Sequence, residues 1–197
     1  MGQYYTPFLR RTSNQKYGTF IPITFSSKLM EHSFINTAFM NSIEQLLIKN
    51  ADYYKAIIVW AGDYADYKGG LEDSFIIDDT DDKKNLYSCQ DLKYQLPYHD
   101  YLSTMSKSYN QSEYPYIVSH TQKCFIKKPL ITSPTGDYIH PLPLLVSEGN
   151  GRGNGDYHGI NEDKCGTWAR DSISIEKNME NFPEYTELIC NFKEARP

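Results

Sequence analysis

The chain has 197 residues, 40% of them hydrophobic, with 17 Tyr, 9 Phe and a formal net charge of −5. That length and apolar content suit one folded domain, 1–197, rather than a disordered chain, and the aromatic residues favour strands. The negative balance, with no run of Lys and Arg, argues against nucleic acid or an acidic membrane as partner, and the absence of a legible signal peptide or membrane span points to the cytoplasm.

Residues 3–9 and 19–25 read as strands, with Pro22 pushing the second to an edge or a bulge. Arg10 to Lys16 between them is a polar turn. His32 beside Glu31 suits a capping or packing role. The clearest helix follows, since Ile35, Phe39, Ile43 and Leu46-Leu47 recur at helical spacing. Glu44, Gln45 and Lys49 are expected on its outer surface, and its expected span is 33–50. Residues 55–60 form the short apolar run of a buried central strand. That run ends in Gly62-Asp63, which makes either a turn or a functional acid just beyond a rigid strand.

The stretch 68–113 is harder to read. Asp78 to Asp82 is an acidic run that lacks the glycine and terminal Glu of an EF-hand and suits a solvated loop. Residues 98–108 suggest a short helix, and 103–115 a mobile connection. Residues 116–127 read as a hairpin turning near His120-Thr121-Gln122. After a turn at 133–137, Pro141 and Pro143 exclude a central strand, while Leu144 to Val146 suit burial as a strand or short helix. The last strand is expected over 167–176, where Trp168, Arg170, Ser172 and Ser174 alternate with Ala169, Asp171, Ile173 and Ile175. Asp171 would then share the Ile face and need a partner such as Arg152 or Arg170. The tail from Phe182 is expected to drape over the sheet. Cys89, Cys124, Cys165 and Cys190 have no paired spacing and read as reduced thiols. The fold class that follows is α+β: a mainly antiparallel β-sheet with one long helix packed on it.

The candidate site is the run Glu148-Gly149-Asn150-Gly151-Arg152-Gly153-Asn154-Gly155-Asp156-Tyr157-His158-Gly159. Glycine this dense is costly to order, so it marks backbone that must take positive φ or approach another group closely. The spacing fits neither a phosphate loop, which needs Lys followed by Ser or Thr, nor the dinucleotide fingerprint. A looser possibility is a nest of main-chain N–H groups for an anion, with Arg152 adding charge. Asp156 and His158, two residues apart, can ligate a metal or act as an acid–base pair. The candidate ligand-binding set is Gly149, Asn150, Gly151, Arg152, Gly153, Gly155, Asp156, Tyr157 and His158, joined by Trp60, Asp63, Trp168, Arg170 and Asp171. These are expected to line one cleft; the ordinary alternative is a tight loop held by its own Asp and Arg.

At these residues the sequence resembles a group of proteins from phages and Bacteroides-type gut bacteria. The motifs are Met-Gly-Gln-Tyr-Tyr at 1–5, Leu-Met-Glu-His-Ser at 29–33, Val-Trp-Ala-Gly-Asp-Tyr-Ala-Asp at 59–66 and Asn-Leu-Tyr at 85–87. More specific still are His-Pro-Leu-Pro-Leu-Leu at 140–145, Gly-Asn-Gly-Arg-Gly-x-Gly-Asp-Tyr at 149–157 and Trp-Ala-Arg-Asp-x-Ile-Ser at 168–174. Relatives carry Asn where Ser119 stands, Lys where Gln122 stands, and often Gly at Asn154. The resemblance implies a setting, a phage or mobile-element protein in a bacterial cytoplasm, rather than an activity or a fold. Within it, the expected function is binding: sequestering a small anionic or nucleotide ligand, or blocking a host protein, as an inhibitor of host defence. No cofactor is expected. The competing expectation is a small metal-dependent hydrolase of a nucleotide or phosphoester, with Asp63, Asp156, His158 and Asp171 as metal or acid–base groups.

Overall fold

A computed structural model describes residues 3–11, 20–65, 86–89, 96–97, 109–128, 138–150 and 154–194. The apolar stretch after Lys55 is the centre of the fold. Strand β4 (Ala56–Gly62) runs antiparallel between β1 (Tyr4–Arg10) and β9 (Ser172–Glu176). Its side chains alternate. Ala56, Ile58 and Trp60 join Tyr5 and Leu9 in one core layer; Val59 and Ala61 join Phe8, Phe20 and Leu86 in another. A strand covered on both faces needs apolar residues at successive positions, which is why no period of two is visible there.

Among the described residues the main sheet runs β10 (Thr186–Glu187), β6 (Cys124–Lys127), β5 (Tyr116–Ser119), β9, β4, β1, β2 (Ile21–Pro22). Strand β3 (Ser27–Lys28) also pairs with β1, and β7 (Ser147–Glu148) with β4. The β10–β6 and β4–β7 pairings are parallel and the others antiparallel, so the fold is α+β with a mostly antiparallel mixed sheet. Pro22 lies at the sheet edge, where a missing N–H is tolerated. The tail does more than drape: it supplies β10 to the sheet, and then β11 (Lys193–Glu194) pairs with β8 (Gly159–Ile160).

The main helix is shorter than the expected 33–50. Helix α2, as numbered after the single turn α1 (Leu29–His32), has ten residues, Ala38–Leu47. Asn36 sits at φ 65, which no helix interior accepts, and the Thr37 hydroxyl then accepts from the Met40 N–H at 3.1 Å. Residues before it pair elsewhere: Ile35 N–H donates to the Tyr138 carbonyl at 2.8 Å, and His140 N–H to the Ser33 carbonyl at 3.0 Å. Ile48 ends the helix in extended backbone bridged to Ile175. Phe39, Met40, Ile43, Leu46 and Leu47 are buried, and so is Glu44, which does not lie on the outer surface. Residues Pro141–Leu145 form a third helix, α3. Both prolines fall in its first turn, where no intrahelical N–H is lost.

Strand β9 starts at Ser172 rather than at 167. Residues 167–170 are turns, and Arg170 holds φ 65, so the alternation breaks before Asp171. The Asp171 carboxylate accepts from Ser119 Oγ and Gln122 Nε2, each at 2.8 Å, so Arg170 is not its partner. Residues 109–115 are tied down rather than free: Asn110 caps a short turn at Gln111–Glu113, and the buried Gln111 accepts from Asn36 N–H at 2.8 Å. Cys124, Cys165 and Cys190 are buried free thiols. The polar turn at 12–16, the acidic run 78–82, the helix suggested over 98–108, the turn 133–137, and Asp66, Gly151, Arg152 and Gly153 lie outside the described residues. Among the described residues, no helix is long and apolar enough to cross a membrane.

Candidate functional site

Both ends of the glycine-rich run rest on the N-terminal strand. A Cβ on Gly149 would stand 2.6 Å from both Gln3 Oε1 and Tyr5 Oη, so any other residue would force those side-chain ends to shift. Gly155 has φ 60, and a Cβ there would meet the Tyr5 ring at 2.9 Å and Leu29 Cβ at 3.0 Å. Asp156 Oδ1 accepts from the Met30 N–H at 3.0 Å. Beyond the end of β4, Asp63 Oδ1 accepts from the Tyr4 N–H at 3.1 Å, and Asp63 N–H donates to the Tyr4 carbonyl at 2.9 Å. The Tyr5 hydroxyl between them donates to Gln3 Oε1 at 2.8 Å. Tyr5 is wholly buried. Burial, with the negative charge of Asp156, Cys165 and Asp63 adding, pushes its phenol far above the usual range, so it remains a donor.

The remaining candidates divide. Arg170 reaches the start of the run as a bidentate partner of Glu148, with Nε to Oε1 at 2.6 Å and Nη2 to Oε2 at 3.0 Å. Trp60, Tyr157 and Trp168 are core side chains, all but fully buried. His158 points outward, and its Nδ1 is 3.7 Å from Glu162 Oε1, so it does not pair with Asp156. Asn150 is exposed. Asp171 belongs elsewhere: its main chain bonds Ile58, five residues before Asp63 on β4. At the rise of a strand, roughly 3.3 Å per residue, that separates the two acids by about 16 Å. Burial raises the Asp171 pKa while the Ser119 and Gln122 hydrogen bonds oppose the rise.

Among the described residues, the densest ionic cluster was not one the sequence led us to expect. Wholly buried Glu44 accepts from Lys128 Nζ at 2.7 and 3.0 Å and from the Tyr109 hydroxyl at 2.9 Å, with His140 Nε2 2.7 Å away. His140 Nδ1 accepts from the Leu142 N–H, so Nε2 carries the proton toward Glu44. Burial works against the Glu44 charge, yet these donors hold its carboxyl below the usual range. The signal was present: Met40, Glu44 and Leu47 fall at i, i+4 and i+7, one buried helix side. No comparable signal linked Gln3 and Tyr5 to Gly149 and Gly155.

Chemically, the acids around Tyr5 hold main chain together. Among the described residues, no three His, Cys, Asp or Glu side chains converge to hold a metal ion. Comparison with protein-family models, curated proteins and solved structures gave no match.

Proposed function

We propose that the protein works by binding rather than by turnover. In this reading it is a phage or mobile-element protein of the bacterial cytoplasm that sequesters a small anionic ligand such as a nucleotide, or blocks a host protein, and so inhibits host defence. The contact surface is residues 149–158 beside Asp63. The observation that carries the reading is the commitment of both acids, Asp156 to the Met30 N–H and Asp63 to the Tyr4 N–H. In each acid Oδ1 holds main chain in place, which is an anchoring role. The ends of the run, Gly149 and Gly155, lie against Gln3, Tyr5 and Leu29. The biological setting rests on the sequence motifs alone.

A thermal-shift screen of nucleotides tests this. Any stabilising nucleotide is then incubated with the protein, with and without Mg²⁺, and its fate followed by chromatography. Recovery unchanged, with the shift lost in Arg152→Ala, supports sequestration. Metal-dependent product that disappears in Asp156→Asn would replace it with a hydrolase. No shift with any nucleotide leaves a host protein as the partner.

A further inference from the structure

A second site lies on side chains that the proposed contact surface does not use. Tyr54, His120, Phe182 and Tyr185 form an aromatic cluster. Ring centroids are 6.5 Å apart for Tyr54 and His120, 5.2 Å for His120 and Phe182, and 5.1 Å for Phe182 and Tyr185. The His120 ring stands edge-on to both Tyr54 and Phe182, at 69° and 64°. A cation is already in place: Lys55 Nζ lies over both the Tyr54 and the Phe182 rings, 5.4 and 5.1 Å from their centroids. Tyr54, Lys55, His120 and Tyr185 are all partly exposed, so the cluster opens to solvent.

The rings are held from behind by one hydrogen-bond chain. Ser174 Oγ donates to Glu176 Oε1 at 2.6 Å, and Tyr54 also bonds Glu176. With its hydrogen so used, Ser174 can only accept from His120 Nε2, at 2.8 Å. His120 Nδ1 is then the acceptor for the Tyr185 hydroxyl at 3.1 Å. Burial and the nearby Lys55 charge lower the His120 pKa to about 4, so the ring is neutral at pH 7. A neutral ring does not repel a cation, and the buried Glu176 places a carboxylate behind the rings.

The occupant is held in an unusual way. Lys55 has φ 59, a left-handed conformation that a bulky residue rarely adopts. Its carbonyl accepts from Ser172 Oγ at 2.7 Å, which fixes that backbone.

We propose that Tyr54 and Phe182, with His120 and Tyr185 packed against them, form an aromatic cage for an alkylated ammonium group, with Lys55 as an internal occupant that the ligand displaces. A primary ammonium is compact and strongly hydrated, whereas a quaternary one gives up less hydration on meeting ring faces. The source is a methylated lysine of a partner protein or a small choline-like molecule. This site is independent of residues 149–158.

The test uses Lys55→Gly, which fits the positive φ and empties the cage, and Lys55→Met, which keeps a side chain without charge. Tetramethylammonium chloride is titrated into each variant and the wild type, reading the ring resonances of the four aromatic residues by NMR. Saturable shifts on these rings, with affinity about tenfold higher in either variant than in wild type, are expected. Trimethyllysine peptide and choline then distinguish the two sources. Absence of saturable shifts in both folded variants overturns the cage, and so does equal binding of uncharged neopentyl alcohol.

Discussion

His32 is wholly buried against Phe25, Phe39 and Trp60, and its Nδ1 accepts from the Trp60 indole at 2.8 Å. Burial lowers its pKa from 6.5 to about 3. The folded state therefore refuses a proton that the unfolded chain takes up below pH 6.5. Stability contributed by the neutral ring is complete above that pH and falls by about 1.4 kcal/mol per unit as pH drops toward the folded value. His32→Gln keeps an acceptor for Trp60 but does not titrate. Urea unfolding at pH 7 and 4.5 should show a loss smaller by about 2–3 kcal/mol in this variant; an equal loss contradicts the assignment. Glu44→Ala strands Lys128 and His140 in the core and should cost about 3–5 kcal/mol in the same assay. Gly155→Ala should cost about 1–2 kcal/mol, because it adds a Cβ at φ 60 against Tyr5. At this scale the sequence was legible where one residue type has one use. His32 read as capping or packing, and the glycines as positive φ or close approach. Glu44 was legible only in its spacing with Met40 and Leu47, because a charged residue on a helix is ordinarily solvated, and its partners Lys128 and His140 lie 84 and 96 residues away.

Element boundaries depend on backbone states that ordinary residues conceal. The apolar run of β4 and the 116–127 hairpin were plain from composition and alternation. The start of β9 was not, because Trp168 to Ser174 alternates through a turn, and nothing marks Arg170 as left-handed. The helix start had a signal in Thr37, a good cap, but Ile35 extended the apparent spacing backward by nearly a turn. Two elements are joined where β7 meets the turn before β9, through the Glu148–Arg170 pair. Arg170→Ala leaves a nearly buried carboxylate without its bidentate partner and should lose about 3 kcal/mol. Removing Glu148 as well should recover part of that loss. A double-mutant cycle in urea measures the coupling, and simple additivity would show the pair to be inert.

For the whole molecule, the sheet brings sequence-distant segments to one place. The N-terminal strand carries Gln3 and Tyr5 to the end of β4, and β7 delivers Gly149 beside them. That meeting could not be read from the sequence, since no local pattern connects residues nearly 150 positions apart. The sequence did indicate that the glycine-rich run needed a close neighbour, but not which one. The acids near Tyr5 are anchors, and the urea stability of Asp156→Ala measures this directly. An anchor lost from the Met30 N–H should cost about 1–3 kcal/mol. Unchanged or increased stability, as expected when a catalytic acid is removed from its site, would contradict it.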